Sequence, residues 1–346
     1  MSTPLTAGNR LRAYLRFIAA VLWFFLARSM AHREALGMAE QQWIQEQWRP
    51  LVEQAMLVFL LLAGYAGMGL VFDRQQHPFR EQGLPARDGW PGEVGMGIAT
   101  GWAIAVACVL PMVLAGGIAI VLELQPSAWG WLLVEAVFFA LAALAEEVAF
   151  RGYGFQRFVE AVGPLGAMLG FAAFYAIVQA LVFGSNRASI AVSVALSLVL
   201  STAYLRSRAL WVSWGVNFGW KASRALIFGL AISGVNSHSP VVQGNPMGTF
   251  WLTGGGYGLD GSWVAFAVLL LAVPVVFRLT RELDYRYNAP VIVPGGIPVD
   301  LDAAARRQHE GATRSAEPSA PPLVQIFPAA APPASPEQPR SSEESQ

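Results

Sequence analysis

Apolar positions in this chain come in runs too long for a soluble core. They lie at about 55–72, 94–122, 132–157, 166–184, 189–205, 209–230 and 263–277. Most match the roughly 20 residues that a helix needs to cross a bilayer. The pattern predicts an all-α protein, a polytopic membrane helix bundle of about 7–8 transmembrane helices. Pro111 predicts a kink in the second run, and the last run is short enough that its helix is expected to begin before Trp263. Upstream, Phe17 to Ala27 is apolar but brief and is flanked by Arg10, Arg12, Arg16 and Arg28. It reads as an interfacial helix or a short first span in preference to a signal-peptide core, for which Ser29-Met30-Ala31 is a weak cleavage match. Three regions follow: an N-terminal segment 1–50, a bundle 51–283, and a tail 284–346 rich in Pro, Ala, Ser and Glu that lacks apolar periodicity and is expected to be disordered.

The connecting segments carry a charge alternation. Arg74, Arg80 and Arg87 lie in 73–93, Arg157 follows the third run, Arg206 and Arg208 the fifth, and Arg278, Arg281 and Arg286 the last. Segments 123–128 and 231–262 hold no Lys or Arg, and 184–188 holds only Arg187. By the positive-inside rule the C-terminal tail is cytoplasmic. Seven spans then place the N-terminus outside, and an eighth at 17–27 returns it inside. Two packing signals recur: Ser189, Ser193, Ser197 and Ser201 form a small-residue face, and Gly97 and Gly101 form a GxxxG.

Composition agrees. The 346 residues are 55% hydrophobic and 13% charged, where a soluble domain carries about 25% charged residues. The net charge of +0 offers nothing to nucleic acid. The lone Cys108 cannot form an internal disulfide and reads as a small core residue.

Against that apolar background, AEEVAFRGYGF (145–155) places Glu146, Glu147 and Arg151 inside a span. Ionisable groups there cost at least ~2.5–3.5 kcal/mol on insertion scales and mark function by default. Glu147 and Arg151 are four apart, on one helix face. If the helix continues through GYGFQRF, the preferred reading, Glu146 falls near mid-membrane. Other spans offer polar partners: Tyr175 and Gln179 on the fourth, Asn217, Lys221 and Arg224 on the sixth. Lys221 is the only lysine in the chain. His32, His77, His238 and His309 all fall outside the predicted spans, so no imidazole is expected in the membrane core to hold zinc or activate water. No metal and no cofactor are predicted.

Glu146-Glu147-Val-Ala-Phe-Arg151 closely resembles the EExxxR motif of the CAAX-protease and bacteriocin-processing (CPBP) family of intramembrane endopeptidases. Tyr175-Ala-Ile-Val-Gln179 is similar in place to the family's Phe-x-x-x-His. Asn217-Phe-Gly-Trp-Lys221, after a Leu-Trp-rich stretch, looks like its His-x-x-x-Asn. The resemblance covers about 130–230. It implies a bundle of about eight helices in which the first glutamate and first histidine activate water while the second histidine and the asparagine stabilise the oxyanion. Carried over, the site is Glu146, Glu147, Arg151, Gln179, Asn217 and Lys221, with Gln179 and Asn217 standing for histidines and Lys221 for the asparagine. Gln179 can orient a water but cannot exchange a proton near neutral pH. Asn217 can still donate to an oxyanion. A cationic Lys221 beside Glu146 would weaken it as a base.

Three readings result. The first is a membrane protein with a degenerate protease site and a binding or scaffold role. The second is an active endopeptidase using Glu146 as base. The third is a proton-coupled transporter, which would require paired repeats that the sequence lacks. The expected partners are the lipid bilayer and a hydrophobic or lipidated peptide or a membrane-protein partner, and the expected location is a bacterial cytoplasmic membrane.

Overall fold

A computed structural model describes residues 7–181, 185–235 and 239–287. Helix α1 is Ala7–Glu40 and α2 is Arg49–Phe72; a short α3, Pro78–Glu81, precedes α4, Trp90–Leu114. Then come strand β1, Ile118–Leu122, and helices α5 (Pro126–Arg151), α6 (Tyr153–Val162), α7 (Pro164–Ala180), α8 (Arg187–Ser207) and α9 (Leu210–Ala222). Beyond α9 lie strand β2 (Val242–Pro246), a one-turn α10 (Phe250–Thr253), α11 (Trp263–Leu279) and α12 (Arg281–Tyr287). The described chain is predominantly helical. By length and composition five helical stretches can cross a membrane, and α7 and α11 are shorter apolar helices. Most of the proposed tail lies outside the described residues.

Helix starts follow local chemistry. Prolines open α2, α4, α5 and α7, where the missing N–H is not needed. Asn186 and Ser189 form a reciprocal capping box on α8, and Ser262 caps α11.

Several boundaries differ from expectation. The brief apolar run 17–27 is the middle of a 34-residue helix, because the arginines and Ala-rich flanks around it are good helix formers. His32 is therefore in a helix long enough to span, and its ring pairs with Glu53 of α2 at 3.1 Å. His77 precedes α3, and His238 and His309 lie outside the described residues. The second run does not remain helical to 122. Pro111 sits within the last turns of α4, Gly116 turns the chain at a φ of 65°, and the β-branched stretch Ile118–Leu122 pairs antiparallel with β2. The fold is thus helical with a two-stranded ribbon. The third run breaks after Arg151, where a side chain at Gly152 would strike the Val148 carbonyl, and the chain restarts as α6. The sixth run leaves α-helix at Ala222 for a π turn, Ser223–Ile227. α11 starts at Trp263 and not before it.

Two large apolar cores result, beside a small cluster of Phe139, Ala225 and Leu226. One gathers residues of α4, α8, α9 and α11; the other gathers α1, α2, α5, α6 and α7. α5 packs on α9 and joins them. Ser189, Ser193, Ser197 and Ser201 of α8 are all buried. The α4–α9 contact is closer still, because Gly97 and Gly101 of α4 meet Gly215 and Gly219 of α9.

Arg224, singled out as a polar residue on the sixth span, does not join Glu146. It is 1% exposed, donates to Asp260 at 2.6 Å and stacks on Trp220 at 4.0 Å. Asp260 also accepts from the Ser233 amide and hydroxyl, so one carboxylate anchors the segment after β2 to the end of α9. Asp260→Asn is expected to weaken that anchor by about 1.5 kcal/mol, which corresponds to roughly tenfold faster limited proteolysis within 239–262. Unchanged cleavage would show that the segment is held by its apolar contacts instead.

Candidate functional site

The two cores meet at the end of α5, and there the polar groups converge. Consecutive helical residues point about 100° apart, so Glu146 and Glu147 diverge. Glu147 turns into the protein, fully buried, and binds fully buried Arg151 one turn on at 3.2 Å, the pair expected from their spacing. Arg151 also reaches the carbonyl and hydroxyl of Ser197 on α8, each at 3.4 Å. The serine face of α8 therefore serves the charged centre as well as helix packing.

Glu146 faces a cleft of about 460 Å³, its side chain 30% exposed. One carboxylate oxygen takes the Lys221 ammonium. The other accepts from the Tyr175 hydroxyl and from the Asn217 amide, each at 3.1 Å. Asn217 spends its second N–H on Glu147 at 2.9 Å. A primary amide has two donors, and here each holds one glutamate. Asn217 and Lys221, four apart on α9, thus clamp the two carboxylates of α5, and the four ionisable groups form two pairs of acid and base, Glu146 with Lys221 and Glu147 with Arg151.

Five of the six expected site residues, Glu146, Glu147, Arg151, Asn217 and Lys221, are joined in one hydrogen-bonded network. Gln179 is not in it. It lines the same cleft, but its amide donates to the Tyr257 hydroxyl at 2.6 Å. Sequence reading missed Tyr257, which comes from the irregular segment before α11, because no periodicity marks it. It also missed Arg28 of α1 and Gln54 of α2, which line the cleft from helices remote in sequence. Among the described residues no group of three or more His, Cys, Asp or Glu is placed to hold a metal ion.

Chemically, the arrangement presents one solvent-accessible carboxylate with an ammonium, a phenol and an amide around it, walled by Phe138, Phe139, Phe150 and Val178. It can bind an apolar chain beside a polar point. Removing a proton from a bound water would require Glu146 to loosen an existing partner.

No curated protein and no solved structure matches the chain. Residues 127–223 match the family model described as type II CAAX prenyl endopeptidase Rce1-like. The match runs from the start of α5 to just past α9 and includes all six motif positions; α1, α2, α4 and α11 lie outside it. By this match the central segment of the chain, residues 127–223, is similar to the Rce1-like type II CAAX prenyl endopeptidases, a group within the CPBP family that its three motifs resemble.

Proposed function

We propose that this CAAX-protease-like membrane protein holds an apolar or lipidated peptide segment, or a membrane-protein partner, in the Glu146 cleft without cleaving it. The observation that carries this reading is the state of Glu146: Lys221 holds one oxygen, and Tyr175 and Asn217 hold the other. A general base must reach the proton it takes, directly or through one water. Here the base is tied up by a cation, and the position that holds the family's first histidine carries Gln179, which is turned toward Tyr257. A neutralised ion network can keep a bundle's geometry after its chemistry has gone.

The test is proteolysis by the purified, detergent-solubilised protein on apolar and lipidated peptides. Glu146→Ala is the negative control, and Gln179→His/Asn217→His/Lys221→Asn the restored variant. The expected outcome is peptide binding without cleavage by the native protein, with cleavage appearing in the restored variant. Cleavage by the native protein that disappears in Glu146→Ala would establish the second reading, an active endopeptidase with Glu146 as base. One observation favours that alternative: Glu146 is the carboxylate of the pair that opens onto the cleft.

For topology we propose the tail and the 73–93 segment on the cytoplasmic face of a bacterial membrane. Arg16 of α1 pairs with Asp73, which supports placing the arginine-rich start of α1 at that same end, with α1 as an additional span.

A further inference from the structure

The Glu146 cleft has a neighbour whose lining is almost entirely apolar. A cavity of about 210 Å³ lies between α1, α5, α6 and α7, and Phe24 and Phe150 line both spaces. Of the side chains around this cavity only Tyr65 carries a polar atom, and its hydroxyl is already donated to the Ala20 carbonyl at 3.2 Å. A peptide main chain entering here would leave its N–H and C=O groups without partners, at several kcal/mol each. A hydrocarbon chain has none to satisfy.

Toward the α1–α2 connection the cleft is different. Its formally charged lining residues are Arg28, Lys221 and Glu146, two cations against one carboxylate. Lys221 and Glu146 neutralise each other. Arg28 is exposed and has no hydrogen-bond or ion-pair partner among the described residues, and Gln54, which lines the same cleft, likewise has none. Glu53, the adjacent carboxylate on α2, is engaged by His32. An unpaired guanidinium in a helix able to span a membrane is a functional-site candidate by default, and a guanidinium fork suits carboxylate or phosphate. The outward face of α1 bears exposed Leu22, Phe25 and Leu26, an apolar surface suited to lipid.

We infer that the two adjoining cavities, which share Phe24 and Phe150 in their walls, together bind a single-chain anionic lipid, its headgroup on Arg28 and Gln54 and its hydrocarbon chain passing Phe24 and Phe150 into the apolar cavity. This deepens the proposed function and takes from it only that the cleft is a binding site. All the groups involved but Phe150, Ala149 and the walls of α6 and α7 come from outside the segment 127–223.

The test is fluorescence titration of the detergent-solubilised full chain with cis-parinaric acid, an 18-carbon conjugated acid, and displacement by non-fluorescent competitors. Octadecanoic acid and a monoacylglycerol phosphate are expected to displace it about tenfold more tightly than the methyl ester of octadecanoic acid, since a charge-assisted hydrogen bond contributes about 1.5 kcal/mol. Tighter displacement by either anion supports the inference and identifies the headgroup. Arg28→Gln should erase the difference between acid and ester. Val21→Trp and Ala149→Phe, on two different helices, should weaken the 18-carbon acid while leaving octanoic acid unaffected. Equal displacement by acid and ester in the native protein would overturn the inference, as would an unchanged preference in Arg28→Gln or loss of chain-length dependence in neither cavity variant. These variants leave Glu146, Gln179, Asn217 and Lys221 in place. Native cleavage of peptides would therefore defeat the proposed function and not this inference, and equal acid and ester binding would do the reverse.

Discussion

Glu147→Ala should cost about 3–5 kcal/mol of stability, because it strands the Arg151 guanidinium at a site with no exposure. Arg151 would keep the long hydrogen bonds to Ser197 and its place over the Tyr175 ring at 5.8 Å, neither of which supplies a counter-charge, and Asn217 would lose one of its two acceptors. Unfolding of the detergent-solubilised variant by heat or SDS measures the loss. The opposite change is informative too. Replacing both partners, Glu147→Leu with Arg151→Met, removes the charge and its counter-charge together, and such swaps are often neutral. The double variant should therefore be more stable than Glu147→Ala. A single-variant cost below about 1 kcal/mol, or additive single effects, would show that the pair is not a unit. Glu146→Ala differs in kind, since that carboxylate is partly exposed and its loss frees Lys221 into the cleft.

Gly101→Leu should be comparably damaging for a steric reason. A side chain at Gly101 would meet the Val216 carbonyl, the Trp220 amide nitrogen at 2.6 Å and the Gly219 carbonyl carbon at 3.0 Å, all backbone of α9. Overpacking against side chains costs about 1–3 kcal/mol; backbone cannot swing aside, so the helices must separate and the cost should reach the top of that range or exceed it. Because α9 carries Asn217 and Lys221, its displacement should also dismantle the clamp on Glu146. Gly95→Leu on the same helix is the matched control, since nothing lies within 4 Å of a side chain there. Equal thermal midpoints for the two variants would refute the close-contact argument.

The apolar runs made the helices legible, and the charge they cannot tolerate made the site legible. Glu146, Glu147, Arg151, Asn217 and Lys221 stand out because each is costly in an apolar helix, and each needed a partner. The GxxxG of α4 announced a close contact, but a small-residue pair does not say which helix receives it; Gly215 and Gly219, also four apart, do so on α9. Breaks were harder to see. Gly152 divides α5 from α6 in a conformation where any side chain would clash with the preceding turn, and Ile118–Leu122 becomes a strand only because β2, more than a hundred residues later, is there to pair with it. Both depend on neighbours that a hydrophobic pattern does not contain.

Local sequence therefore determined which segments are helical, that they suit a membrane, and which side chains cannot stand alone in it; these follow from transfer cost and i,i+4 spacing, properties of one segment at a time. Tertiary structure alone decided the pairing. Asn217 bridges both glutamates, Gln179 turns to Tyr257, and Arg28 and Gln54 reach the cleft from α1 and α2. Those outcomes rest on how α1, α2, α5, α7 and α9 are set against one another, and a single chain's periodicity is silent on which faces of separate helices meet.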